Sequence, residues 1–261
     1  MHADPDDLTL ALELADLADS ITLEHFRASD LEVATKPDLT PVTEADTAVE
    51  RTIRGRLESL RPRDGVLGEE YGDSGSGARR WIIDPIDGTM SYVRGLPFWA
   101  TLLALEDGGE VSVGVVSAPA LHRRWWAARG GGAWLNDGLA VAPRRIHVSA
   151  VADLADAHLC LSAATEWEAI GRLDAILELE RRCWRTRGYG DLWSYMFVAE
   201  GVLEIGLDPK ASVWDLAAMQ VVVEEAGGRF SDLAGTARLD GGNAVATNGL
   251  VHDAVLEILG G

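Results

Sequence analysis

The segment "WIIDPIDGT", residues 81–89, constrains this chain more than any other stretch. Trp81, Ile82 and Ile83 are apolar and strand-prone, so they belong in a covered sheet. Asp84 then stands at the strand's carboxyl end, where open α/β sheets place their ligands. Pro85 stops the ladder and Asp87 returns one turn later. Gly88 permits close backbone approach, and Thr89 can start a helix whose N–H groups face an anion. Carboxylates avoid the edge of a core, because an unpaired charge removed from water is costly. On its own the segment fits two readings. One is an Asp-containing turn with Asp87 capping a helix, and the other is a pair of carboxylates holding a cation beside a phosphate cradle.

The formal net charge is −19, from 23 basic and 42 acidic residues. That argues against a nucleic-acid or anionic-membrane surface. It suits several carboxylates binding divalent cations, although a generally acidic surface gives the same total. Cys160 and Cys183 form no CxxC and no zinc spacing, which points to a reduced, cytoplasmic setting. The N-terminus is acidic where a secretory signal would be basic, and no run approaches the roughly 20 apolar residues of a membrane span. The six histidines make no HxxxH or HExxH pattern. There is no GxSxG elbow, and "RGGG" at 129–132 lacks the GK[ST] of a phosphate-binding P-loop.

Apolar periodicity predicts a helix from Leu8 through Phe26, capped by Asp6 or Asp7. "TKPDLTP" carries two prolines and reads as a loop. A second helix starts near Thr43, with Ala45, Val49, Ile53 and Leu57 on one face. "GVLGEEYGDSGSG" reads as a short strand that breaks into a mobile glycine-rich loop. The stretch from Trp99 to Trp134 alternates like a run of hairpins. Beyond residue 147 strands alternate with helices, the latter at 166–180, 191–201, 213–226 and 250–259. The expectation is an α+β N-terminal lobe over 1–146 and an α/β C-terminal lobe over 147–261 that completes the site.

Other acids also admit two accounts. Glu69 and Glu70 follow "VLG" at a strand end, where vicinal glutamates are commonly solvated. Asp46 shares the apolar face of its helix, yet also fits a capping box with Thr43. Asp215 fits Ser-x-x-Asp capping with Ser212, yet begins a very apolar helix.

"GEE", "WIIDPIDGT" and "WDLAAMQVVVEEAGG", in this order, resemble the inositol monophosphatase family of metal-dependent phosphatases. The likeness runs from "KPDLTPVTEAD" to "ATNG", nearly the whole chain. Within the family, "TKPDLTPVTEAD", "SAPALHRRWWAARG", "RGYGDLWSY" and "SVWDLAA" look most like the histidinol-phosphate phosphatase branch. The resemblance implies a layered αβαβα sandwich, two to three Mg²⁺ ions, a homodimer and a small phosphorylated substrate. It implies that Glu69, Asp84 and the Ile86 carbonyl hold a first ion, and that Asp84, Asp87 and Asp215 hold a second. A third ion would lean on Glu69. Asp46 and Thr89 match the pair that orients the attacking water, and amides at Gly88, Thr89 and Met90 would take the phosphate. The family often continues Asp-Gly-Thr with a polar or basic residue and Asn-Phe, where this chain has Met90, Ser91 and Tyr92.

The implied activity is Mg²⁺-dependent hydrolysis of L-histidinol phosphate. Its ammonium and imidazole want acceptors, which Asp191 in "YGD" and Asp208, seven residues before Asp215, would offer. Alternatives are an inositol-1-monophosphatase, a broader sugar or nucleotide phosphatase, or a catalytically silent metal-binding relative. The silent reading predicts missing acids, and none of Glu69, Asp84, Asp87, Asp215, Asp46 or Thr89 is missing.

Overall fold

The computed structural model describes residues 4–37, 40–75 and 77–260. The chain opens with helix α1 (Pro5–His25), a ribbon of β1 (Val33–Thr35) and β2 (Pro41–Thr43), and helix α2 (Glu44–Leu60). Strands β3 (Gly65–Gly68), β4 (Gly72–Ser74) and β5 (Arg79–Asp87) lead into the short helix α3 (Thr89–Val93). A meander of β6 (Ala100–Asp107), β7 (Glu110–Ala118), β8 (Arg123–Ala128), β9 (Gly132–Asn136) and β10 (Arg144–Ile146) follows. Next come β11 (His158–Leu161), α4 (Ala164–Ala169), α5 (Leu173–Arg182), β12 (Arg185–Arg187) and α6 (Trp193–Ala199). The chain ends with β13 (Ile205–Asp208), α7 (Val213–Glu225), β14 (Arg229–Ser231), β15 (Ala244–Thr247) and α8 (His252–Gly260).

Strands β3 to β10 form an eight-stranded sheet of order β10-β9-β8-β7-β6-β5-β3-β4, and the strands after residue 147 a five-stranded sheet of order β12-β11-β13-β15-β14. Period-2 alternation assigns the faces. Trp81, Ile83, Leu103 and Val113 pack against Leu10 and Leu14 of α1 and Ile53 and Leu57 of α2. Ile82, Leu102, Ala104 and Val116 point the other way, into a core shared with α6, α7 and Ala244 and Ala246 of the second sheet. Leu159, Ile205, Leu207 and Val245 complete the outer core with α5 and α8. The chain is therefore the layered αβαβα sandwich that its sequence led us to expect.

Helix α7 lies between the two sheets, which is why it is apolar on every side, with Leu216 through Val223 buried. It rests on the backbone of β7. A Cβ added at Gly114 would sit 2.5 Å from Val221 Cγ1 and 2.6 Å from the Ala218 carbonyl.

Some local expectations shift. The cap of α1 is Asp4, not Asp6 or Asp7: Pro5 occupies the first turn and Asp4 Oδ1 accepts the Asp6 amide at 3.0 Å. The segment expected as a loop before α2 pairs as the β1–β2 ribbon, and its tip at Asp38 and Leu39 lies outside the described residues. After Gly68 the chain returns as β4 antiparallel to β3, in place of the expected loop; Ser76 lies outside the described residues. The helix expected over 166–180 is two helices, broken at Gly171 with φ +71°. Among the described residues, no helix is long and apolar enough to cross a membrane.

Gly114→Val should lower stability by about 1–3 kcal/mol, the usual cost of overpacking a close contact. Urea unfolding checks this, and an unchanged midpoint would mean that α7 does not rest on β7 as described.

Candidate active site

A strand with unbroken alternation would send Asp84 and Asp87 to opposite faces. The β5–β6 register instead shifts between these two residues, and the Pro85 carbonyl accepts the Thr101 hydroxyl at 2.8 Å. Both carboxylates consequently line one cleft of about 330 Å³, together with Glu69, Ile86, Gly88, Thr89, Met90, Asp191 and Asp215. Glu69 arrives from the turn after β3 and Asp215 from the first turn of α7.

Each acid is held by backbone donors. Asp84, 2% exposed, accepts the Ile86 amide at 3.0 Å. Asp87 Oδ2 accepts the Leu192 amide at 2.8 Å, presented by left-handed Gly190 and Asp191 (φ +75° and +47°). Asp215 Oδ2 accepts the Ser212 amide at 2.6 Å, closing a capping box. Asp46 Oδ2 accepts the Thr43 amide at 2.7 Å and the Thr43 hydroxyl at 2.6 Å, while its Oδ1 is buried without a hydrogen-bond partner. For Asp46 the two accounts are thus both correct, since one oxygen caps the helix and the other stays free.

Gly88 has φ +84°, and a Cβ there would lie 2.8 Å from the Phe98 carbonyl and 3.2 Å from Asp191 Oδ2. The Thr89 hydroxyl donates to the Ile86 carbonyl at 2.9 Å. The amides of Thr89 and Met90 open α3, so they have no partner within that helix. The Met90 side chain is largely exposed. Tyr92 turns away from the cleft into the core beside Phe26 and Trp99, and its hydroxyl donates to the Thr22 carbonyl at 2.7 Å. The unusual Met-Ser-Tyr stretch therefore puts its aromatic ring to structural use.

Burial, and then the neighbouring Glu69, Asp87, Asp215 and Asp46, hold the Asp84 carboxyl well above the usual range. Burial followed by Asp191 and Asp215 does the same to Asp87, against the Leu192 hydrogen bond. Burial pushes Asp46 and Asp215 up to about 6, with Glu69 adding to both. Lys36 Nζ lies 2.7 Å from both Glu69 Oε1 and Glu70 Oε1. These residues share a deficit of positive charge. Among the described residues, no group of three or more His, Cys, Asp or Glu side chains is already gathered tightly enough to hold an ion. The donor chemistry nevertheless fits Mg²⁺, which takes carboxylate and carbonyl oxygens and keeps several waters. The crowded Asp84 and Asp87 are what such a cation would relieve, and the partnerless Asp46 Oδ1 is left for a water.

A second cleft of about 320 Å³ shares Asp87, Asp191 and Asp215 and extends to Ser162, Glu166, Tyr195 and Asp208. The Tyr195 hydroxyl donates to Asp208 Oδ2 at 2.8 Å. Burial pushes Asp208 up to about 7, with Asp191 and Glu166 adding to it against the Tyr195 bond. Every candidate residue read from the sequence is thus in or beside the two clefts. Sequence reasoning missed Lys36, Glu166, Tyr195 and Lys210, which no local spacing ties to the aspartates.

The inositol monophosphatase family model matches residues 4–259. A curated histidinol-phosphatase of Streptomyces coelicolor is 54% identical over 258 residues, covering 97% of each chain. One of Mycobacterium tuberculosis is 56% identical over 253 residues, covering 96% of each. Among solved structures, an IMPase of Thermotoga maritima superposes with a TM-score of 0.84 at 32% identity, over 98% of this chain and 97% of that one. With this geometry and these likenesses, the chain belongs to the inositol monophosphatase family.

Proposed function

We propose that the chain is a Mg²⁺-dependent phosphomonoester hydrolase whose substrate is L-histidinol phosphate. The observation that carries this reading is the single cleft in which Glu69, Asp84, Asp87 and Asp215 meet the Gly88–Thr89 turn, continuous with a second acidic cleft. The curated relatives at 54% and 56% identity are histidinol-phosphatases. The family is generally magnesium-dependent.

In this reading Glu69, Asp84 and the Ile86 carbonyl would hold one ion and Asp84, Asp87 and Asp215 a second, and Glu69 would also serve a third. The Ile86 carbonyl has a second lone pair for this, despite accepting the Thr89 hydroxyl. Bound there, Mg²⁺ supplies activation of a water, neutralisation of the phosphoryl oxygens and stabilisation of the leaving alkoxide. The chain's own groups position the reactants. Asp46, with one oxygen fixed by Thr43, keeps Oδ1 to accept a proton from the water, and Thr89, whose hydroxyl donates to the Ile86 carbonyl, would help to orient that water. Amides of Gly88, Thr89 and Met90 take the phosphate. Asp191 and Asp208 accept hydrogen bonds from the ammonium and imidazole, and Glu166 adds negative charge beside them. A homodimer in the cytoplasm completes the reading. Inositol phosphates are the second candidate substrate, but the acids of the second cleft favour a cationic one.

Asp84→Asn should reduce kcat/KM by at least ~10³-fold, the scale of the several kcal/mol that metal ions contribute to such transition states. Retention of a tenth of wild-type phosphate release would defeat the shared-ligand assignment.

Asp208→Asn should raise KM for histidinol phosphate by roughly tenfold or more, as expected for a lost hydrogen bond to a charged group. The KM for inositol 1-phosphate should move much less. Equal shifts for both substrates would remove Asp208 from the specificity site.

The raised carboxyls also fix a pH dependence. A carboxyl with folded pKa above its unfolded value contributes stability at low pH that is lost as pH rises through the folded pKa. For Asp46, Asp215 and Asp208 that window runs from about 4 to about 7. Metal-free protein should therefore lose the stabilisation from these groups between about pH 4 and about pH 7, and the Mg²⁺-induced rise in Tm should be larger above that window than below it. A Tm rise independent of pH would show that Mg²⁺ does not bind at Asp215 and beside Asp46.

A further inference from the structure

The turn bearing Glu69 and Glu70 is held by a carboxylate to which no sequence motif drew attention. Glu50 lies on α2 one turn after Asp46, on the face that carries Val49, Ile53 and Leu57, and is 0% exposed. Its Oε2 accepts the Glu70 amide at 2.7 Å, and its Oε1 accepts the Tyr71 amide at 3.2 Å. Oε1 also accepts Arg54 Nε at 2.7 Å. Arg54 then donates to the Ser74 hydroxyl at 2.7 Å and to the Gly72 carbonyl. One side chain thus grips two successive amides directly after Glu69, and its guanidinium partner grips the strand that follows. Gly68 makes room for this, because a Cβ there would fall 2.0 Å from Glu50 Oε1.

A buried ion pair is weak evidence of a contribution to stability, so the Glu50–Arg54 pair needs a different account. Its placement supplies one. Asp46 and Glu50 stand on successive turns of a single helix, so α2 sets the position of Asp46 directly and that of Glu69 through the turn it clamps. We infer that Glu50 is a positioning residue, which holds the Glu69–Glu70 turn so that Glu69 stays within reach of Asp84 and Asp46. The inference rests on the reading of Glu69 as a cation ligand.

Calorimetric titration of substrate-free protein with MgCl₂, joined to amide hydrogen exchange over residues 69–74, tests it. Glu50→Gln and Gly68→Ala should each weaken Mg²⁺ binding by about tenfold, the lower end of what loss of a ligand-orienting group costs. The Glu70 and Tyr71 amides should exchange faster in both, and kcat should recover at saturating Mg²⁺. Glu69→Gln serves as the control. If it leaves Mg²⁺ affinity unchanged, the cation-site reading fails and this inference with it. If Glu69→Gln weakens binding while Glu50→Gln and Gly68→Ala bind as wild type does, the positioning role alone is overturned. Should Glu50→Gln not fold, Gly68→Ala decides, because it keeps the Glu50 charge and only displaces it.

Discussion

Carboxylates kept from water in one cleft repel each other, and much of the molecule serves to hold them together all the same. Desolvation and mutual repulsion act in the same direction on Asp84 and Asp87, and no side chain on β5 answers them. The restraint comes from backbone: a bulge in β5, the amide of Leu192, and the first turn of α7. Such donors are fixed by the layers behind them and cannot swing away. A cation of charge two placed among them converts the repulsion into attraction, which is why an arrangement so unfavourable when empty of charge compensation suits a metal-dependent phosphatase.

The layers explain how the acids meet. The eight-stranded sheet delivers Glu69, Asp84 and Asp87, and α7 brings Asp215 from between the sheets. The stretch before α6 closes over Asp87 and lays Asp191 against Gly88. The cleft at the Gly88–Thr89 turn is lined by the end of β5, the turn after β3 and the start of α7, and the acidic cleft beside it by α4, α6, α7 and the end of β13. The two clefts are neighbours that share Asp87, Asp191 and Asp215, so in the proposed reading chemistry and substrate choice would lie side by side.

Much of this was readable from residue order. Trp81–Ile83 announced a buried strand by composition, but Pro85 does not end it as expected: β5 runs on to Asp87, and a shift of register between Asp84 and Asp87, not a turn, re-aims the second carboxylate. Asp46 and Asp215 each fitted both a helix cap and an inward carboxylate, and each proved to cap its helix while lying in or beside the cleft. What escaped the sequence depends on contacts between distant segments. Lys36 reaches Glu69 across 33 positions, and Tyr195 meets Asp208 from another element. Glu50 did leave a trace, an acid on the apolar face four residues after Asp46, but its partners are amides and carry no side-chain signature. The β1–β2 ribbon was missed because its prolines read as a break, although Pro37 lies in the turn between the strands and Pro41 is the first residue of β2, a position a strand tolerates.

The most direct test is a crystal of the protein soaked in Mn²⁺ as a heavier stand-in for Mg²⁺, with ions located by anomalous scattering. The account predicts an ion bound by Asp84 together with Glu69, and a second shared by Asp84, Asp87 and Asp215. Ions found only elsewhere, with these four carboxylates left without metal at saturating Mn²⁺, would contradict it.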